Sequence, residues 1–236
     1  MTTPAVPTVH LVGAGPGNPM LLTRKAARLL AAADVVVLDR RSLDGIAALA
    51  PPAAERIFVG RTDGHPAWTT SAIADLLADR ARAHNGAPIV VRLKSGDPFV
   101  CSRGGEEMAA LVARGVHVDV TPGVSAATAA PLAAVMPHGR SVTVLAGNHD
   151  PVYPDTDLAA LADPDASIVV LVGRSRQGAI ATALLAAGLD PATPAAIVHA
   201  ATRPDAQVVH TTLDRLGDHR LPPPATVVIG PARAHP

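Results

Sequence analysis

Short apolar runs rich in β-branched residues alternate along the chain with amphipathic stretches, a pattern typical of parallel strands joined by helical crossovers. The pattern predicts strands at residues 9–15, 34–39, 56–60, 87–93, 116–120, 141–147, 167–173, 195–201, 206–212 and 225–230. It predicts helices at residues 20–33, 69–83, 105–115, 124–135 and 178–188. The alternation therefore indicates an α/β fold.

The alternation of strands and helices is interrupted at the proline and glycine of "MPHGR", residues 136–140. A new series of strands begins directly afterwards, so we place a domain boundary there. The prediction is an N-terminal α/β domain over residues 1–137 and a C-terminal α/β domain over residues 138–236.

Composition excludes several classes of protein. With 236 residues, 48% of them hydrophobic, the chain can bury a substantial core. Twenty basic and twenty acidic residues cancel, which gives no support for a nucleic-acid or membrane surface. The single cysteine, Cys101, excludes an internal disulfide, and the start of the chain lacks the apolar core of a signal peptide, so we expect a cytoplasmic protein.

The sequence also lacks two kinds of segment, one that could span a membrane and one with the spacing of a metal site. No apolar run reaches the length needed to cross a bilayer. The ten histidines are scattered without metal-ligand spacing, so we expect no metal site.

A glycine-rich turn, "GAGPGNP", follows the first strand. Its glycines, Gly13, Gly15 and Gly17, have the spacing G-x-G-x-G, and Asn18 stands where a dinucleotide-binding fingerprint has its third glycine. The turn is therefore either a nucleotide loop that departs from the fingerprint or a tight strand-to-helix turn with another use.

Two more loops follow strands of the first half. In "KSGDPF", Ser95 and Gly96 free the backbone and Asp97 can accept hydrogen bonds before a proline, while in "TPGVSA" Gly123 permits a turn and Ser125 can cap the next helix. The carboxyl ends of parallel strands are where open α/β sheets bind ligands. The alternative is that both loops are turns with ordinary caps.

Several motifs together resemble those of the tetrapyrrole methylases, over residues 9 to 230. They are "VHLVGAGPGNP", "VVRLKSGDPFVCSRGGEE", "PGVSAATAAPLA", "VHAATRPDAQVV" and "PPATVVIGP". The resemblance implies two α/β domains, the first with a mostly parallel sheet and the second with a mixed sheet. It also implies that S-adenosyl-L-methionine binds in the cleft between the domains and leaves as S-adenosyl-L-homocysteine, usually in a homodimer.

The similarity is greatest to the members that C-methylate uroporphyrinogen III to precorrin-2, on the way to siroheme and cobalamin, and it implies that activity. Two alternatives stay open. One is a methyltransferase of the same fold that acts on a smaller acceptor in secondary metabolism, and the other is a catalytically weak ligand-binding protein.

The resemblance also implies roles for individual residues. The residues that match cofactor-lining positions of the family are Pro16, Ser95, Gly96, Asp97, Val100, Ser125, Ala126, Leu171, Val172, Ala201, Pro224, Ala225 and Thr226. Gly15 leaves room for the substrate. Asp39 matches a position proposed as the base that removes a proton after methylation, the alternative being that it caps a turn or pairs with Arg40.

A tetrapyrrole with many carboxylates needs local positive charge despite the neutral chain. The basic residues expected to bind those carboxylates are Arg40, Arg61, Lys94 and Arg103, each of which could instead be a solvated surface residue.

The chain departs from the family pattern mainly on the expected substrate side. The family's "FGRGGEE" has become "CSRGGEE", and the basic pair after the third strand is reduced to Arg61. A loop that carries a Thr-His-Arg motif in the family is shortened near residues 136–140. Methyl transfer is therefore better supported than the identity of the acceptor.

Overall fold

The computed structural model describes residues 6–60, 62, 68–83, 88–147, 158–171 and 177–231. These residues form two compact units, Met1–Ser125 and Ala126–Pro236. Each unit contains one five-stranded sheet. Within the described ranges, no helix is long and apolar enough to span a membrane.

The sheet of the first unit is parallel throughout, with the strand order β3-β2-β4-β1-β5. Its strands are β1 (Thr8–Gly13), β2 (Val35–Leu38), β3 (Glu55–Phe58), β4 (Val90–Lys94) and β5 (His117–Thr121). Every residue of β2 and β4 is buried, as expected for central strands of a sheet that is covered on both faces.

Helices cover both faces of this sheet. They are α1 (Arg24–Ala31), α2 (Asp44–Ala47), α3 (Thr70–Arg82) and α4 (Gly104–Val112). One core contains Leu30 of α1 and Ile46 of α2, and the other contains Leu77 of α3 and Leu111 of α4. Successive residues of a strand point to opposite faces, so each strand contributes to both cores.

The sheet of the second unit is mixed, with the strand order β6-β7-β10-β8-β9. Its strands are β6 (Ser141–Ala146), β7 (Ala166–Leu171), β8 (Pro194–His199), β9 (Gln207–Thr212) and β10 (Ala225–Ile229). β6 and β7 are parallel, and the other three pairs are antiparallel. Both the parallel first sheet and the mixed second sheet were predicted.

Two helices belong to the second unit, α5 (Ala126–Ala133) and α6 (Gln177–Ala186). Because α5 contacts β7 and β10, it groups with the second sheet, although it precedes the boundary that we placed at residues 137 and 138. Short 3-10 turns lie at Pro19–Leu21, Arg41–Leu43, Leu158–Leu161 and Leu216–Asp218.

The ten strands lie where the pattern predicts them, within a residue or two in the described ranges. The predicted first helix was wrong in its first turn. Residues Pro19–Leu21 form a separate 3-10 turn, and the α-helix begins after Thr23, whose side chain caps it by accepting a hydrogen bond from Ala26 N at 3.2 Å. The short helix α2 was not predicted.

Candidate active site

Two loops at the carboxyl edge of the first sheet pair through their backbones. The amide of Gly15, after β1, donates to Gly96 O at 3.1 Å, and the amide of Gly96, after β4, donates to Gly15 O at 2.8 Å. Both residues have a left-handed φ, of 71° and 66°, which glycine adopts without steric cost. The glycine-rich turn is therefore joined to the "SGDPF" loop.

A third loop, after β5, packs against the same two. A Cβ atom at Gly123 would lie 2.2 Å from Gly96 O and 2.8 Å from Gly13 C, and a Cβ atom at Gly13 would lie 2.5 Å from Gly123 N. Non-bonded atoms do not approach this closely, so only glycine fits at either position. Three chain segments thus meet backbone to backbone at the predicted ligand edge.

Asp97 ties two of these loops together. Its Oδ1 accepts a hydrogen bond from Phe99 N at 2.8 Å, and its Oδ2 accepts one from Gly123 N at 3.1 Å. The carboxylate therefore holds the "SGDPF" loop in its turn and fixes it to the loop after β5.

The other predicted cofactor residues of the first unit lie around this junction. Pro16, Ser95 and Val100 are half-buried in the two loops. Ser125 ends the loop after β5, and Ala126 begins α5. Four of the predicted residues, Pro16, Ser95, Val100 and Ser125, therefore lie on loops of the first unit, whereas Ala126 belongs to the second unit.

A buried group of charges lies beneath this edge. Arg92, fully buried on β4, donates from Nε and Nη2 to the two carboxylate oxygens of Glu107 on α4, at 2.9 and 3.0 Å. Arg92 Nη2 also donates to Asp39 Oδ2 at 2.9 Å, and Lys94 Nζ donates to Glu107 Oε1 at 2.6 Å. We call Arg92, Lys94, Glu107 and Asp39 the buried charge network.

Alternation along β4 explains why two cations are buried side by side. Val91 and Leu93 point into one core, so Arg92 and Lys94, two residues apart, share the opposite face of the sheet. α4 covers that face and supplies Glu107. Burial lowers the pKa of Lys94, and the charge of Arg92 adds to this effect, although Glu107 opposes it.

Asp39 is the most exposed member of the network, with 31% of its side chain exposed against 6% or less for the other three. Burial on its own would raise its pKa, but the charges of Arg92 and Lys94 and the hydrogen bond from Arg92 together lower the pKa below its ordinary value. Asp39 is consequently an ionised carboxylate near neutral pH, bound to Arg92 and not to Arg40 as the alternative had it.

The basic residues predicted to bind substrate carboxylates lie in different surroundings. Arg40 is exposed, directly after Asp39. Arg103 is exposed at the start of α4, where it pairs with Glu106 at 2.7 Å. Lys94 is buried and bonded to Glu107, so the structure places it beneath the edge and not on its surface. Arg61 lies outside the described residues.

The predicted cofactor residues of the second unit meet at one edge of the second sheet. Leu171, the last residue of β7, is opposite Thr226 of β10, and Ala225 is opposite His199, the last residue of β8. The loop after β8 carries Ala201, and Ala200 N donates to Pro224 O at 2.9 Å. Val172, the remaining residue of this set, lies outside the described residues.

The second edge is lined mainly by small side chains. Ala201, Ala225 and Thr226 are small and buried, and the larger Leu171 and His199 lie beside them. Thr202 follows Ala201, and its hydroxyl is buried without a hydrogen-bond partner among the residues that the structure describes. Buried polar groups are normally paired, so this hydroxyl is an exception within the described ranges.

Neither Arg92 nor Glu107 was singled out from the sequence. The signal was present, because a charged residue inside the otherwise apolar strand "IVVRL" requires a buried partner. In the described part of the chain, no three His, Cys, Asp or Glu side chains are grouped as a metal site would need.

Comparison with known proteins identifies similar chains over nearly the full length. The sequence model of a family described as tetrapyrrole (corrin/porphyrin) methylases matches residues 8–217. The chain is 38% identical, over 94% of its own length and 90% of the relative's, to an S-adenosyl-L-methionine-dependent uroporphyrinogen III methyltransferase of Methanosarcina barkeri. It is also 38% identical to a siroheme synthase of Methylococcus capsulatus, of which it spans about half, 49%.

Among solved structures, a similar chain is the uroporphyrin-III C-methyltransferase of Thermus thermophilus in complex with S-adenosylhomocysteine. The TM-score is 0.79, with 39% identity over 94% of this chain and 92% of that one.

Proposed function

Since the chain belongs to the tetrapyrrole methylase family, we propose that it is an S-adenosyl-L-methionine-dependent methyltransferase that C-methylates uroporphyrinogen III to precorrin-2, in the pathway to siroheme and cobalamin. One observation carries the proposal: the chain matches a uroporphyrinogen III methyltransferase over nine-tenths of the length of both proteins. The siroheme synthases are longer, so their further activities are not part of this proposal.

S-adenosyl-L-methionine, when bound, supplies a methyl group already activated by its sulfonium, so positioning accounts for most of the remaining catalysis. In the first unit, the proposed cofactor contacts are the loops joined by Asp97. In the second unit, they are the small residues of the edge that carries Ala201 and Thr226. Their geometry supports the proposal because the loops are rigidly bonded and the Thr202 hydroxyl has no partner in the described structure.

Asp39 is the proposed base. Methylation of a pyrrole carbon that already carries a side chain leaves a positively charged ring, and the loss of a proton from the ring nitrogen or an adjacent bridging carbon restores a neutral conjugated system. Because the positive charge makes this proton acidic, a carboxylate with a lowered pKa is basic enough to accept it. Arg40, Arg103 and Arg61 are the proposed contacts for substrate carboxylates.

The test has two stages. Calorimetry with S-adenosylhomocysteine comes first, and undetectable binding at submillimolar concentration by a folded sample would reject the proposed cofactor site. The protein is then incubated with labelled S-adenosyl-L-methionine and anaerobically prepared uroporphyrinogen III. We expect doubly methylated product at about one turnover per second or slower.

Asp39→Asn is the matched variant, because it preserves shape while removing the base. It should bind S-adenosylhomocysteine as the parent does and lose turnover. Cofactor binding without any methylated tetrapyrrole in the parent would instead favour a smaller acceptor, which the departures near residues 136–140 and after β3 would explain.

Two properties follow from family membership as part of the same proposal, namely a homodimer and a cytoplasmic location. Light scattering coupled to size exclusion should give twice the mass of the chain, and a monomer at micromolar concentration would contradict the dimer. Cell fractionation of a tagged protein in its native host tests the location.

A further inference from the structure

The buried charge network contains a fully buried arginine with an unusually complete set of partners. The guanidinium of Arg92 donates to both carboxylate oxygens of Glu107, to Asp39 Oδ2 and to the carbonyl oxygen of Leu93 at 3.2 Å. Burying such an ion is costly, and well-packed apolar side chains often serve stability as well or better. Packing alone therefore gives a weak reason for charged residues at these positions.

The members of the network differ in exposure, and the most exposed of them lies at the carboxyl edge of the first sheet. Glu107 is 5% exposed and Arg92 0% exposed, whereas Asp39 lies at the end of β2 with nearly a third of its side chain exposed. Arg92 holds Asp39 Oδ2, and no described residue donates a hydrogen bond to Asp39 Oδ1. One carboxylate oxygen is thus fixed, and the other is left available.

The charges around Asp39 come from few elements. Arg92 and Lys94 face it from β4, Arg40 follows it in the chain, and Glu107 of α4 balances the two β4 cations. On the β3 side, the described neighbours are the uncharged Phe58 and Gly60. Because Glu107 pairs with both β4 cations, its negative charge offsets part of the positive charge near Asp39.

We propose that Arg92, clamped by Glu107, is a positioning residue that fixes Oδ2 of Asp39 and so presents Oδ1 for transfer of the proton. Neither Arg92 nor Glu107 contacts the reacting atoms, and both act through Asp39. The inference rests on the proposed function of Asp39 as the base. The orientation and the basicity of the Asp39 carboxylate both depend on the Arg92–Glu107 pair, because a rotated or more strongly paired carboxylate is a poorer proton acceptor.

Glu107→Gln is the principal variant, because it keeps the size of the side chain and removes the charge opposite Arg92 and Lys94. We expect S-adenosylhomocysteine affinity within about twofold of the parent and kcat lower by at least about tenfold, a part of the contribution that a general base makes. The two cations would act on Asp39 unopposed, so the acid limb of the kcat profile should move to lower pH.

Arg92→Lys and Arg92→Met form the second pair. Lysine preserves the charge and one hydrogen bond, so it should retain more turnover than methionine, at the same cofactor affinity. Arg80→Lys is the matched control, because Arg80 makes a similar two-bond pair with Glu55, at 2.7 and 2.8 Å, on the exposed side of α3. Its activity should equal that of the parent.

A readout without turnover accompanies these assays. The carboxyl carbon of Asp39, assigned by its disappearance in Asp39→Asn, is titrated by NMR in the parent and in Glu107→Gln. Its midpoint should lie lower in the variant.

The possible outcomes distinguish a failure of this inference from a failure of the proposed function. A folded Glu107→Gln with the kcat, pH profile and Asp39 midpoint of the parent overturns the inference. Failure of both Glu107→Gln and Arg92→Lys to fold also overturns it, because the network would then serve the fold. A parent that binds S-adenosylhomocysteine but methylates no tetrapyrrole refutes the proposed function instead, and the NMR midpoint still tests the coupling between Glu107 and Asp39.

Discussion

Replacing Gly123 by alanine should force the loops of the three-loop junction apart. The new Cβ atom would lie 2.2 Å from Gly96 O and within 3 Å of both backbone carbons of Gly13, all of them backbone atoms. Ordinary contact needs about 3.5–4.0 Å, so the loops must separate by roughly 1 Å or more. Overpacking of this kind costs about 1–3 kcal/mol.

That cost corresponds to a melting temperature lower by about 2–12 °C, at about 2–4 °C per kcal/mol for a chain of this size. Because the separated loops also carry Asp97, affinity for S-adenosylhomocysteine should fall as well. Gly45→Ala in α2 is the control, since its Cβ would meet nothing within 4 Å, and it should leave stability unchanged or raise it by up to about 1 kcal/mol.

Thermal unfolding and calorimetry on the parent and the two variants provide the measurement. If Gly123→Ala melts and binds as the parent does, the close approach of the three backbones is not a constraint on the protein, and the argument from the junction fails.

Asp97→Ala should weaken S-adenosylhomocysteine binding by about 1–3 kcal/mol, because two backbone amides lose a charged acceptor; unchanged affinity in calorimetry would leave Asp97 as a turn residue only. Thr202→Val should keep the stability of the ligand-free protein and reduce that affinity, since the hydroxyl has no partner among the described residues; equal affinity would show that the hydroxyl is not a ligand. Asp39→Asn should reduce the loss of stability in acid. The folded-state pKa of Asp39 is lowered, so its ionised form stabilises the fold above the unfolded pKa, about 4, and this contribution disappears as the pH falls through the folded pKa. Urea unfolding at pH 6 and pH 3 compares the two proteins, and an identical pH dependence would contradict the assignment.

The order of strands and helices could be predicted because both are local patterns. Period-two and period-3.6 alternation is written directly in the sequence, and the parallel arrangement of the first sheet follows from its helical crossovers. The positions of Ser95, Asp97 and Gly123 at one edge followed in turn, since the loops after parallel strands share an edge. Nothing local indicated that Gly123 touches Gly13 and Gly96, because that contact depends on the order β4-β1-β5 across the sheet.

Charge partners were harder to predict, and Lys94 shows why. A lysine at the end of a strand suggests a surface cation, but its neighbour two residues back, Arg92, shares its face of the sheet, and that face is covered by α4. Tertiary packing determines which helix covers which face of the sheet, and the alternation of side chains within β4 does not reveal it.

The two glutamates of α4 show that helix packing distinguishes even between adjacent residues. Glu106 and Glu107 are adjacent in the sequence, yet one pairs with the exposed Arg103 and the other closes the buried charge network. Adjacent helical residues point about 100° apart, so the rotation of α4 about its axis decides which carboxylate enters the interior. Because a buried Arg92 without a carboxylate would cost several kcal/mol, the arginine within β4 demands that one of the pair face inward. The sequence therefore contains the requirement for a partner, and only the packing of α4 on the sheet selects Glu107 to meet it.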